Sequence, residues 1–137
     1  MTRIVVDANV YISALVFGGV PQHVLDLISS RSLPLYVSQS IIDEVAGTLA
    51  VKFHWTRQEL DMFLPPLWGR CIMISPTIRL KVSSDPDDNH VLECAEAAEA
   101  DFLVTGNIKH FPLSYKTTKV ISPRQLLELL MPEAGQL

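Results

Sequence analysis

The sequence predicts an α/β fold, a three-layer α/β/α sandwich around a central parallel sheet. Short apolar runs alternate along the chain with helix-forming segments, and short apolar strands separated by helices indicate a parallel sheet covered on both faces. The second observation is size. A chain of 137 residues, 48% of them hydrophobic, fits one domain spanning 1–137 with a core of its own. No linker, repeat or low-complexity stretch divides it.

Each element follows from local chemistry. "RIVV" at 3–6 is a short β-branched strand that stops at Asp7. "VYISALVF" and, past the Gly18-Gly19 break, "PQHVLDLISS" read as helices, with Pro21 suited to a first turn. "LPLYV" at 33–37 is a second strand. "SQSIIDEVAGTLAVKF" follows as a helix capped by Ser38 or Ser40. "TRQELDMFLPPLWGR" is helical at its start, and Pro65-Pro66 are expected to disturb its end. "CIMI" at 71–74 is a third strand, "PDDNHVLECAEAAEA" a helix, "FLV" at 102–104 a fourth strand and "KVI" at 119–121 a fifth. "SPRQLLELL" closes the chain, with Ser122 as N-cap, Pro123 at the first helical position and Gln125 at the capping-box position. The tail after Met131 is expected to fray.

Composition narrows the function. The net charge of −4 argues against a broad nucleic-acid-binding face and leaves room for a local one. No stretch approaches the roughly 18 consecutive apolar residues of a membrane span. Asp7 and Asn9 interrupt the apolar start in a way a signal-peptide core tolerates poorly. The expectation is a cytoplasmic protein with no membrane association. Cys71 and Cys94 lack metal-ligand spacing and read as reduced, buried thiols. His23, His54, His90 and His110 show no zinc-site spacing. No Ser-His-Asp or Cys-His arrangement competes for a catalytic role.

In an open parallel sheet, ligands bind outside the carboxyl ends of the strands. Two predicted strands end alike there: "IVV" gives way to Asp7-Ala8-Asn9, and "FLV" to Thr105-Gly106-Asn107. Taken singly, Asp7 reads equally well as the cap of the next helix, and Asn107 reads as a turn residue. In "SSDPDDNH", Asp85 suits an N-cap, Pro86 the first helical position, and Asp87 and Asp88 the first turn. Capping accounts well for Asp85, adequately for Asp87 and least for Asp88, because clustered carboxylates repel and a cap needs only one. On "SQSIIDEVAGTL", Ile41, Ile42, Val45 and Leu49 form one apolar stripe. Asp43 falls on the far side, facing water. Glu44 falls on the border, within reach of a neighbouring cleft, although a lone Glu is more often solvated.

Ordered along the chain, "IVVDANVYISAL", "SIIDEVAGTL", "DPDDNHVLECAEAAEADFLVTGNIKHFP" and "ISPRQLLELL" resemble the PIN-domain family of metal-dependent ribonucleases. Within that family they resemble the VapC-like toxins of bacterial and archaeal toxin–antitoxin pairs. The resemblance implies an α/β/α sandwich and an acidic pocket for Mg2+ or Mn2+. Carried over, the family's first acid falls on Asp7, the second on Glu44 and the third on Asp88. Asp88 is chosen because Ala95, seven places on, meets the family's small-residue helix pattern. Asn9 matches the polar residue beside the first acid. The fourth acidic position falls on Asn107, a departure, since an amide brings no charge. Either the site holds one metal firmly and a second only with substrate, or Asp85 or Asp87 supplies the missing charge.

Asp7, Glu44 and Asp88 are hard oxygen donors of the kind magnesium takes. They are the expected metal ligands and, with Asn107, the expected catalytic residues; Asn9, Asp85, Asp87 and Thr105 are secondary. The expected reaction is in-line hydrolysis of RNA, yielding a 5′-phosphate and a 3′-hydroxyl. Lys109 and His110, with Lys116 and Lys119 beyond, could contact phosphate, although each separately reads as an ordinary surface residue. Trp55, Trp68 and Phe53 read as core rather than as base-stacking groups. The implied partners are RNA, a cognate antitoxin and further copies of the chain. A different class of function is a catalytically weak module that binds an antitoxin or itself, with Val10, Leu15, Val16, Phe17, Val24 and Leu25 offering a face. A small-molecule phosphohydrolase is disfavoured, because "VVDANVY" lacks a second aspartate two places after the first.

Overall fold

A computed structural model describes residues 2–132, so the end of the predicted tail lies outside the described residues. Six strands form one sheet in the order β3-β2-β1-β4-β6-β5. They are β1 (Ile4–Val6), β2 (Leu35–Val37), β3 (Ile72–Met73), β4 (Phe102–Val104), β5 (Ser114–Tyr115) and β6 (Thr118–Ile121). The helices are α1 (Ala8–Val16), α2 (Gly19–Ser30), α3 (Gln39–Lys52), α4 (Arg57–Trp68), α5 (Pro86–Ala98) and α6 (Pro123–Leu130). All pairings are parallel except β5 with β6. The five expected strands are all present and parallel, and the hairpin adds a sixth, antiparallel one. Ser114–Tyr115 is only two residues long and ends in an edge turn at Lys116, which takes a left-handed φ of 54°, so it carries no apolar run to read.

Ile4, Val5 and Val6 are all fully buried. Side chains alternate faces along a strand, so full burial of three in succession means both faces of β1 are covered, as a three-layer sandwich requires. α5 lies against β1, β2 and β4, with Ala95 and Ala98 buried on its inner side. Small side chains there let the helix axis approach the sheet closely. α2 packs on α1 and α6, and α3 on α1, α4 and α5.

Local signals decide most boundaries. Gly18 and Gly19 adopt φ of 74° and 66°, a conformation other residues resist, and the chain turns by 108° between α1 and α2. Ser38, not Ser40, caps α3 by accepting from Ile41 N. Ser122 and Gln125 form the expected capping box, and Thr56 with Glu59 forms another at α4. The expectation for Pro65-Pro66 is overturned: α4 runs through both to Trp68. The two prolines lie on its exposed side, as do Asp61 and Met62 four residues earlier; water can bond the carbonyls left without an N–H partner. Among the described residues, no single helix is long and apolar enough to cross a membrane.

Candidate active site

The sheet order places a topological switch between β1 and β4, its central neighbours. From β1 the chain winds one way to β2 and β3, and β4 and β6 lie on the other side. Such a switch opens a crevice at the carboxyl ends of the strands. Val6 and Val104 are in register, so the next residue of each strand, Asp7 and Thr105, emerges at that crevice. Thr105 Oγ1 donates to Asp7 Oδ2 at 2.8 Å. Asn9 Nδ2 donates to the same oxygen at 3.2 Å, while Gly106 N donates to Asn9 Oδ1 at 3.3 Å. Asp7 stands at the N-cap position of α1, yet its carboxylate makes no cap hydrogen bond. Helix capping alone therefore does not account for it.

Around this carboxylate lies a cleft of ≈ 340 Å³. α3 contributes Glu44, Thr48 and Lys52; the start of α5 contributes Asp85, Asp87 and Asp88; and the segment after β4 contributes Asn107 and His110. Asp7, Asn9 and Ile12 complete the lining. Of the residues expected at the site, Asp7, Asn9, Glu44, Asp85, Asp87, Asp88, Asn107 and His110 all reach this cleft, and Thr105 supports it from beneath. Asp43 is exposed and bonded to Gln39 instead, as the helical phase predicts.

Of the basic residues expected near the site, His110 lines the cleft, and Lys109, Lys116 and Lys119 do not. Lys109 is exposed on a 3-10 turn (Ile108–His110) and does not line it. Lys116 pairs with Glu96 over a separate hollow of ≈ 480 Å³, and Lys119 is exposed on β6. For Lys116 and Lys119, nearness to Asn107 in sequence is not nearness in space, because the chain leaves the site at Phe111 to build the edge hairpin. Trp68 packs on Tyr11, Phe53 on Phe17 and Trp55 on Phe63, consistent with core rather than stacking roles. Of the apolar residues offered as a docking face, Val10, Val24 and Leu25 are buried in the core, and only Phe17 is largely exposed, at 76%.

Three lining residues, Ile12, Thr48 and Lys52, escaped the sequence reading. Thr48 and Lys52 follow Glu44 at intervals of four, so they share its helix face. That spacing was available as a signal. Less visible was Asn89, which is buried against the segment before α5. Its Oδ1 accepts from Val82 N and Ser83 N, and its Nδ2 donates to Ser83 O. Glu93, one turn on, accepts from Leu80 N at 2.9 Å. Together they hold the strap that presents Ser83, whose hydroxyl donates to Asp88 Oδ2 at 3.2 Å. Asp85 caps α5 by accepting from Asp87 N at 2.9 Å.

The electrostatics are those of crowded carboxylates. Burial raises the Asp7 pKa, the Asp88 charge adds to the rise, and the Thr105 hydroxyl and the amides of Ala8 and Asn9 oppose it. Glu44 is pushed up to about 8 by burial first, then by its hydrogen bond to Asp87 and by the charges of Asp87, Asp7 and Asp85. Asp88 is also raised, chiefly by burial, while His110, with Nδ1 4.0 Å away, works in the opposite direction. Cys94, by contrast, is an inert buried thiol pushed up to about 12.

Among the described residues, no three His, Cys, Asp or Glu side chains form a ready-made cation cage. The donor chemistry nevertheless fits a magnesium-type ion. Such an ion takes only one or two carboxylates and keeps several waters, and five carboxylates line this cleft against one lysine. A model of the PIN domain matches residues 3–109 of the chain, from β1 to the turn bearing Lys109. The chain belongs to the PIN-domain family. PIN domains are generally nucleases that use divalent metals, so membership indicates a nuclease-type hydrolase. The chain is also 26% identical over 140 aligned positions to the uncharacterized protein MJ1680 of Methanocaldococcus jannaschii, an alignment covering 92% of this chain and 90% of that one. Within this PIN domain, Asp7, Glu44 and Asp88, the expected family acids, share one cleft.

Proposed function

We propose that this PIN domain is a metal-dependent endoribonuclease that hydrolyses RNA phosphodiester bonds, acting as the toxin of a toxin–antitoxin pair. The observation that carries the reading is Asp7. Its carboxylate makes no cap hydrogen bond, is gripped by the side chains of Thr105 and Asn9, and faces a cleft that four other carboxylates also line. Asp7 would be the central ligand of Mg2+ or Mn2+, with Glu44 and Asp88 holding the ion directly or through water. When bound there, the cation polarises the phosphoryl oxygen, acidifies water and steadies the leaving oxygen. Asn9 and Thr105 fix the Asp7 carboxylate, and Asn107 orients water or ligand at the mouth. Asp87, against Glu44, supplies charge that Asn107 lacks. In the reaction, water oxygen attacks phosphorus in line, the bond to the 3′ oxygen breaks, and that oxygen leaves with a proton as the 3′-hydroxyl. The 5′-phosphate remains on the other product.

The decisive test incubates purified protein with RNA in Mg2+, Mn2+ or chelator, beside Asp7→Asn. Cleavage that needs metal and falls at least about 100-fold in the variant supports the reading. Metal-independent cleavage, or equal activity in Asp7→Asn, defeats it. The toxin role predicts that a small protein encoded next to this chain binds it and blocks cleavage; a cytoplasmic setting and a homo-oligomer belong to the same reading.

A second reading rests on Asn107, an uncharged amide where the resemblance to the family implies a fourth acid. There the protein is a catalytically weak module that binds an antitoxin or itself. An inert wild type that still binds its partner supports that reading over the first.

A further inference from the structure

The cleft has a polarity. Glu44, Thr48 and Lys52 run along one face of α3 into it, and Lys52 is the only Lys or Arg in its lining. It forms no ion pair among the described residues, although five carboxylates share that lining. Beside the cleft, Glu44, Thr48 and Asp87 also line an adjoining hollow of ≈ 520 Å³, which runs along α3 from Ser40 to Val51. That hollow adds Ser40, Asp43, Gly47, Val51 and His90, and no Lys or Arg. A polyanionic strand is repelled by the acidic hollow and meets a cation at Lys52 in the cleft.

We propose that Lys52 binds a non-reacting phosphate of the RNA strand, so that the strand leaves the cleft past Lys52 and not through the acidic hollow beside it. The inference rests on the nuclease reading above and adds a positioning residue to it. The bland explanation of Lys52 is that a cation in the last turn complements the helix dipole. It predicts a loss of thermal stability on substitution and nothing else.

The two explanations separate by salt dependence. In the Asp7→Asn background, binding of a short single-stranded RNA is measured against salt concentration, with and without Lys52→Ala. One lost phosphate contact flattens the log K against log salt slope by about 0.7 and weakens binding roughly tenfold. Lys52→Arg restores the slope. In the active protein, Lys52→Ala raises KM with kcat changed by less than about twofold, since the contact is made before and during reaction alike. Asp43→Asn, in the acidic hollow, and Lys119→Ala, on β6, leave both slope and KM unchanged. Lys52→Gln serves as a second neutral variant, and thermal melts verify that each is folded.

An unchanged slope in Lys52→Ala while the wild type cleaves RNA overturns the inference and leaves the nuclease reading standing. Tighter binding by Asp43→Asn, or an equal slope change in Lys119→Ala, overturns it too. A wild type that shows no metal-dependent cleavage removes the nuclease reading and this inference with it.

Discussion

Asp7 and Asp85 hold the same position in their helices, each an N-cap with extended backbone, and they behave oppositely. Asp85 spends its oxygen on Asp87 N; the Asp7 carboxylate makes no such cap bond and is held by the side chains of Thr105 and Asn9. Nothing in the local sequence separates them, because what diverts Asp7 is a residue 98 positions away. Thr105→Val tests the diversion. It removes a hydroxyl that favours the ionised carboxylate, so the raised Asp7 pKa rises further and the loss is felt only while Asp7 is charged. The expected cost is roughly 1.5–3 kcal/mol at pH 8, shrinking toward pH 4, by chemical denaturation. A cost independent of pH would mean that the hydroxyl serves packing alone.

Glu44 gives a second prediction of known sign. Its pKa is about 8 in the fold against 4.5 outside it, so the folded state binds the extra proton. The group's contribution to stability is full below about pH 4.5 and is lost as pH rises toward and through 8. Glu44→Gln should therefore raise the melting temperature of the metal-free protein at pH 9 and change it little at pH 5. A lower melting temperature at pH 9 counts against the crowding described here.

At the scale of elements, the strap before α5 shows why part of the site was illegible. Asn89, Glu93 and Glu96 recur at i, i+4 and i+7, a polar stripe that reads as a solvated helix face. Here Asn89 and Glu93 face a segment with no regular structure, whose amides at Leu80, Val82 and Ser83 need side-chain acceptors. Asn89→Ala leaves two amides and a carbonyl without their partner, at a cost of roughly 1–3 kcal/mol. Hydrogen exchange at Val82 and Ser83 should accelerate, and metal affinity should fall because Ser83 no longer steadies Asp88. Unchanged exchange at both amides would show that Asn89 is not the clamp. The α5 cap, the α6 capping box and the water-facing Asp43 were readable, because each depends on residues within a few positions. The course of α4 through Pro65-Pro66 was not, because it turns on which side of the helix faces water.

For the whole molecule, strands and helices were legible from their apolar runs, but their order in the sheet was not. The switch between β1 and β4 exists only in three dimensions, and it is what makes Asp7 and Thr105 neighbours and gathers acids from α3 and α5 opposite them. That gathering sets protein stability and ion binding in opposition. The apo fold holds carboxylates closer than their charges favour, and a divalent cation that binds the fold and not the unfolded chain releases the strain by mass action. At a free ion concentration 100 times the dissociation constant the gain is about 2.7 kcal/mol, roughly 10 °C in melting temperature for a domain of this size. Because the ion competes with the proton on Glu44, whose pKa is about 8, the Mn2+-induced shift should grow from pH 6.5 to 8.5. Glu44→Gln should remove that pH dependence, and Asp7→Asn most of the shift. A stabilisation by Mn2+ that is equal at both pH values, or that persists in Asp7→Asn, would place the ion somewhere other than this cleft.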